Sequence, residues 1–201
     1  IDTAHDLGNQ LRQDPNAKTD IKKRFSEMAH SAVEDKNFNK NSVQGDSRIT
    51  EIYSQFFGID TIFNENQQEI TLIPKSNFSL PQSIQLNMND CPDIAQTVCV
   101  TAATLKIPFE ISGLATLKIK ETDRLSALQN ELKKIGCETE ITDNSIKSVL
   151  YTNPEKNISI TTYSDHRMAM AFAPYSLIQE IEIQNPEVVE KSFPDFWEFI
   201  K

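Results

Sequence analysis

"LKIKETDRLSALQNELKKIGCETEITDN", residues 117–144, carries one structural grammar from end to end. Leu125, Leu128, Leu132 and Ile135 recur at spacings of three and four, which lines one face of an α-helix. Thr122 or Asp123 stands where a side-chain oxygen can accept a free backbone N–H at the helix start. Lys133 and Lys134 fall in the last turn, where cations suit the helix dipole. Gly136 follows and can take the left-handed conformation that stops a helix. Two β-like runs then flank the turn signal "TDNS". The stretch therefore predicts a helix, a glycine stop and a hairpin, with Lys120, Glu121, Asp123 and Arg124 crowded at the helix start.

The same grammar recurs on either side. "SVQGDSRITEIYSQFFGIDTIFNENQQEITLI", residues 42–73, gives Gly-Asp, a stripe at Ile49, Ile52 and Phe56, the stop Gly58, and two β-like runs around "NENQQ". "YSDHRMAMAFAPYSLI", residues 163–178, begins a third copy and passes to a strand in "EIEIQ". Pro174 predicts a kink or early end there. A unit of about 30 residues that repeats points to one supersecondary element stacked on its copies. A further helix is expected at "PDIAQTVCVTAATL", residues 92–105, with Pro92 in its first turn. Its alanines, Ala95, Ala102 and Ala103, predict close packing. Residues 1–42 are polar, and weak periodicity around "IKKRFSEMAHSAV" predicts one or two surface helices with loops.

Composition bounds the function. The 201 residues are 38% hydrophobic and 24% charged, an ordinary globular composition. A net charge of −9 argues against nucleic acid on the bulk surface. No run approaches a membrane span of roughly 20 apolar residues, and the polar start shows no signal peptide. The absence of an initial Met predicts a fragment or processed chain. Cys91, Cys99 and Cys137 form neither a metal spacing nor a disulfide framework, so buried small side chains and a reducing cytoplasm are expected. Met168 and Met170 are expected in the core.

An acidic chain that binds an anion must do so through a local basic cluster. Three helix starts place an acid beside a base: Asp46 with Arg48, Asp123 with Arg124, and Asp165 with His166 and Arg167. Asp93 follows Pro92 at a fourth. Helix starts present free N–H groups and partial positive charge, which suits phosphate and carboxylate. Arginines at the same place add paired hydrogen bonds. Taken singly, each Asp is a helix cap, Arg124 an ion-pair partner, Lys120 a solvated cation and His166 a structural residue. The recurrence of the pattern is what favours a site.

"KETDR" followed by a helix ending in "KKIG", and "YSDHRMAMAF" about 40 residues on, resemble the 5-enolpyruvylshikimate-3-phosphate synthase family. "NDCPDIAQT", "NSVQGDS" and "EKSFPDFWEFI" fall in that family's order across residues 41–201, while residues 1–40 match it poorly. The resemblance implies an α+β fold of repeated βαβαββ units, half of an inside-out α/β barrel. It implies that residues 1–201 form a single domain similar to the half of the synthase that contains its C-terminus. The implied reaction transfers the enolpyruvyl group of phosphoenolpyruvate to the 5-hydroxyl of shikimate 3-phosphate, in aromatic amino acid synthesis. Asp93 would accept the hydroxyl proton. Glu121 would serve proton transfer at the methylene carbon, with His166 nearby. Lys120 would contact the shikimate phosphate, and Arg124, Arg167 and Lys191 would grip phosphoenolpyruvate. No cofactor and no metal is implied. The expected partners are the two substrates and the family's N-terminal domain, in a cytoplasmic monomer without nucleic acid or membrane contacts. Without that N-terminal domain the chain is expected to be inactive alone. Two alternatives stand beside this one. The first is the related transferase acting on UDP-N-acetylglucosamine, which uses a reactive cysteine and lacks "KETDR" with "DHRMAM". The second is a non-catalytic phosphate- or carboxylate-binding domain of the same fold.

Overall fold

A computed structural model describes residues 45–64, 69–120, 122–198 and 200. The surface helices expected before residue 42, the tip of the first hairpin and the Glu121 position lie outside these residues, as does the side chain of Asp46.

The stretch around Arg124 forms as its pattern requires. Helix α3, Arg124–Lys134, buries Leu125, Leu128 and Leu132 completely. Of the two candidate caps, Asp123 acts: its Oδ1 accepts from Ser126 N at 3.1 Å and its Oδ2 from the Ser126 hydroxyl at 2.8 Å. Gly136 takes φ +81° and ends the helix, and a Cβ there would lie 2.5 Å from the Thr152 carbonyl oxygen. The hairpin β5 (Cys137–Ile141) and β6 (Ser145–Tyr151) follows, antiparallel, with a register shift at Glu138/Thr139.

Two earlier strands complete this unit. β3, Ile84–Asn87, leads through a 3₁₀ turn, Pro92–Ile94, into helix α2, Ala95–Thr104, and then to β4, Phe109–Ser112. A second 3₁₀ turn, Ala115–Ile119, leads on toward α3. β3 and β4 are parallel, β4 and β6 antiparallel, and the sheet order is β3-β4-β6-β5. This is one whole βαβαββ unit.

Among the described residues, the flanking segments show parts of the same plan. Before it, α1 (Ile49–Ile52) precedes the antiparallel hairpin β1 (Ile59–Asn64) and β2 (Glu69–Pro74). After it, β7 (Ile158–Ile160), α4 (His166–Phe172) and β8 (Ile181–Ile183) form a βαβ crossover with parallel strands. In α4 the helix gives way to a 3₁₀ turn, Ala173–Leu177, at Pro174, because proline supplies no N–H.

The stripe extends by one residue. Phe56, expected inside, is half-buried and packs against the core as Ile49 does, and Phe57 beside it is buried as well. Residues Tyr53–Phe57 form a wide π-type turn after α1. An i→i+5 turn adds a residue, so Ile52 is followed on its face by Phe57.

The core lies between these helices and sheets. Helix α2 is enclosed on all sides: nine of its ten residues are buried. Its alanines let α4 and the sheet approach closely. All three cysteines are buried, and no disulfide joins them. Met168 is fully buried, while Met170 is half-buried against a second cluster of Ala169, Ala173, Val189 and Phe196. That cluster holds the chain after β8 onto α4.

Candidate active site

Three helix starts converge on the turn that carries Asp93. The Asp93 carboxylate Oδ1 accepts from Arg124 Nη1 at 2.9 Å and lies 3.1 Å from Lys120 Nζ. Its Oδ2 accepts from Lys120 at 3.3 Å. The Asp93 backbone carbonyl accepts from Arg167 Nη1 at 2.9 Å. Asp93 opens the 3₁₀ turn before α2, Lys120 and Arg124 lead into α3, and Arg167 sits in the first turn of α4. Four residues far apart in sequence thus share one place.

Asp165 closes the network from behind. Arg124 Nε donates to its Oδ2 at 2.6 Å, and the main-chain N–H of Arg167 donates to its Oδ1 at 2.9 Å. Asp165 is fully buried and Arg124 only 2% exposed. A buried guanidinium needs such partners, since an unpaired buried charge is costly. Sequence reasoning missed Asp165 as a partner of Arg124. The signal was an acidic cap beside an arginine, but the two residues lie 41 positions apart.

Arg124 is held as an ion-pair partner. It does not present its guanidinium to solvent; two carboxylates engage it. Asp93 is 31% exposed at the edge of the cluster. Burial alone would raise its carboxyl pKa. The Lys120 hydrogen bond and the charges of Arg167, Lys120 and Arg124 outweigh burial and hold it below the ordinary value. Asp93 is thereby kept as an acceptor at neutral pH. Among the described side chains, the cations Lys120, Arg124 and Arg167 meet the carboxylates of Asp93 and Asp165 and the Asp93 carbonyl here.

A fourth helix start supports the same turn. Arg48 Nη1 donates to both Asp90 oxygens, at 2.8 and 2.7 Å. This pair lowers the Asp90 pKa and raises that of Arg48. Asp90 stands three residues before Asp93, so Arg48 anchors the turn and not the cluster itself. Gly113, at φ +81°, lets the end of β4 approach the same turn: a Cβ there would lie 2.4 Å from Asn89 N.

The remaining expected residues stand less close. His166 is the first residue of α4, half-buried and without a hydrogen bond among the described residues. Lys191 is exposed just past the 3₁₀ turn Pro186–Val189, which packs on α4, and no hydrogen bond or ion pair among the described residues joins it to Asp93. Gln96, one turn along from Asp93, is fully buried with neither amide atom hydrogen-bonded among the described residues. A surface depression of about 480 Å³ beside β1–β2 and another of about 270 Å³ beside β7–β8 lie away from this cluster. Chemistry, not concavity, singles the cluster out. No group of three or more His, Cys, Asp or Glu suited to a metal occurs among the described residues.

Comparison with known proteins adds to this geometry. The family model described as EPSP synthase (3-phosphoshikimate 1-carboxyvinyltransferase) matches residues 25–200. The 3-phosphoshikimate 1-carboxyvinyltransferase of Bacteroides fragilis is 40% identical over 165 residues, covering 81% of this chain and 39% of that protein. The same enzyme from Methanospirillum hungatei is 36% identical over 164 residues, covering 81% and 37%. The chloroplastic enzyme of Arabidopsis thaliana is 34% identical over 165 residues, covering 80% and 31%. The chain thus spans two-fifths or less of the length of these relatives. Among solved structures, EPSP synthase from Acinetobacter baumannii superposes with a TM-score of 0.58 at 22% identity, covering 89% of this chain and 44% of that one, which shows a shared fold. With α+β units of this plan and a family match across most of its length, the chain belongs to the EPSP synthase (3-phosphoshikimate 1-carboxyvinyltransferase) family.

Proposed function

We propose that the chain supplies one side of an enolpyruvyl-transfer site, taking phosphoenolpyruvate and shikimate 3-phosphate as substrates. The observation that carries this reading is the cluster of Lys120, Arg124 and Arg167 around Asp93. Both substrates are multiply anionic, and such groups call for cations and helix-start N–H donors.

The roles follow from the chemistry. The 5-hydroxyl oxygen bonds to C2 of phosphoenolpyruvate while C3 takes a proton. The C2–O–phosphate bond then breaks, inorganic phosphate leaves, and C3 gives up a proton. Asp93, held ionised, is the proposed base for the hydroxyl proton, taking it as the C–O bond forms. Glu121 is proposed for proton transfer at C3, where its charge also steadies a cation-like C2. His166 is its proposed neighbour. Lys120 is assigned to the shikimate phosphate, and Arg167 and Lys191 to phosphoenolpyruvate. Arg124 is assigned to the same anion. Because it is engaged by Asp93 and Asp165, its proposed contact forms as Asp93 turns toward the hydroxyl.

The proposed setting is a cytoplasmic monomer in which the family's N-terminal domain closes over this one; no helix among the described residues is long and apolar enough to cross a membrane. Residues 1–201 are proposed to act as one domain, inactive by themselves. Closure would complete the site. The test is phosphate release from both substrates, using the protein of the natural reading frame that contains this chain. Turnover that falls at least a hundredfold in Arg167→Ala supports the reading. An inactive protein that still binds either substrate favours a non-catalytic anion-binding domain.

A further inference from the structure

Helix α3 holds more than its own stripe. Arg124, Glu131 and Lys134 stand along one side of it, seven and three residues apart. Each grips a successive point of one segment, residues 159–165. Arg124 holds Asp165. Glu131 accepts from the Tyr163 hydroxyl at 2.9 Å and from Thr161 N at 3.0 Å. Lys134 donates to the Ser159 carbonyl at 2.7 Å and to Glu131 at 2.7 Å. Glu131 is 1% exposed, so its charge is fully committed to these partners.

The segment it grips is bent against its own preference. Tyr163 and Ser164 take φ +54° and +58°, two consecutive non-glycine residues in the left-handed region. L-residues avoid that region, and such strain persists only where neighbours over-determine it. The next residue is Asp165, which caps α4 through Arg167 N and holds Arg124. Burial and the neighbouring Glu131 carboxylate raise the Tyr163 pKa, so its hydroxyl remains a donor.

We propose that Glu131 and Tyr163 are positioning residues that lock this left-handed turn. Through it they fix Asp165, and so the Arg124 guanidinium and the start of α4 where His166 and Arg167 stand. Neither residue contacts the Asp93 cluster directly. That the pose serves an anionic substrate rests on the function proposed above; the mechanical coupling does not.

The test is hydrogen exchange by NMR on the labelled protein, comparing wild type with Tyr163→Phe. This variant removes one hydroxyl and keeps the ring. The Arg124 Nε–H and the Arg167 backbone N–H are expected to exchange about tenfold faster, the scale of one lost hydrogen bond to a charged group. Amides of the β5–β6 pairing are expected to stay within about twofold, as they lie outside the opening unit. Glu131→Gln keeps an acceptor and is expected to fall between the two. Unchanged exchange at both reporters would overturn the proposal. Uniform acceleration through α3 and β5–β6 would overturn it too, as it marks general destabilisation. Substrate turnover is read separately: a wild-type protein with no turnover sinks the function, while the exchange pattern still decides the coupling.

Discussion

Replacing Asp165 with Asn tests whether the buried network is organised as described. Asn keeps the size of Asp and can still accept from Arg167 N, so the cap of α4 survives. It loses the charge and turns an N–H₂ toward Arg124 Nε, now 2.6 Å from a carboxylate oxygen. Arg124, 2% exposed, then keeps its bond to Asp93 but loses its most buried carboxylate partner. Breaking a buried pair costs about 3–5 kcal/mol, and the surviving Asp93 contact puts the expected loss at the lower end, about 3–4 kcal/mol. In a domain of this size each kcal/mol moves Tm by roughly 2–4 °C, so a fall of roughly 10 °C is expected. Asp93→Asn is the control. Asp93 is partly exposed, so its loss is expected to cost about 1 kcal/mol. Urea denaturation followed by circular dichroism measures both. Adding Arg124→Met to Asp165→Asn is expected to recover stability, since no charge is then stranded. The reasoning fails if Asp165→Asn costs no more than Asp93→Asn, or if the double variant is less stable than the single.

Other outcomes follow from the same structure. Asp123→Ala removes the cap of α3 and should cost about 1 kcal/mol in the same denaturation assay. Gly136→Ala sets a Cβ 2.5 Å from the Thr152 carbonyl at φ +81° and should cost at least about 2 kcal/mol, with a lower Tm as the readout. Asp93 has a folded pKa below its ordinary 3.8, so its stabilisation is complete above that value and is lost as pH falls through the depressed one. The stability gap between wild type and Asp93→Asn should therefore be steady near neutral pH and close in acid; a gap that widens in acid would contradict the charge assignment. On the proposed reading, the 201-residue chain alone should bind phosphoenolpyruvate more weakly than submillimolar by calorimetry, because closure by a second domain completes the site.

The local features were legible in the sequence. The α3 stripe, the Asp123 cap and the Gly136 stop all depend on residues within a turn or two of each other. The repeated helix–hairpin unit was legible for the same reason. Long-range partnerships were not. Arg124 reads as an ion-pair partner, but its partners Asp165 and Asp93 lie 41 and 31 positions away. Glu131 sits inside an amphipathic helix and looks like one more polar-face residue, yet it is buried and joined to Thr161 and Tyr163. The burial of Phe57 beside Phe56 was also hidden, because a π-type turn leaves no residue signature here. Clustering at the helix starts was anticipated; Lys191 and His166 were grouped with the cluster by analogy, and no hydrogen bond among the described residues ties them to it.

The contiguity of the central unit has a consequence for assembly. Residues 84–151 contain a whole four-stranded sheet and two helices in one contiguous stretch. Among the described residues, β1–β2 and β7–β8 are two-stranded ribbons, which are marginal in isolation. The central piece can consolidate first and offer the others a surface to condense on. Limited digestion should nibble at both flanks and spare a middle fragment, whose survival reflects its arrangement and not its amino-acid content.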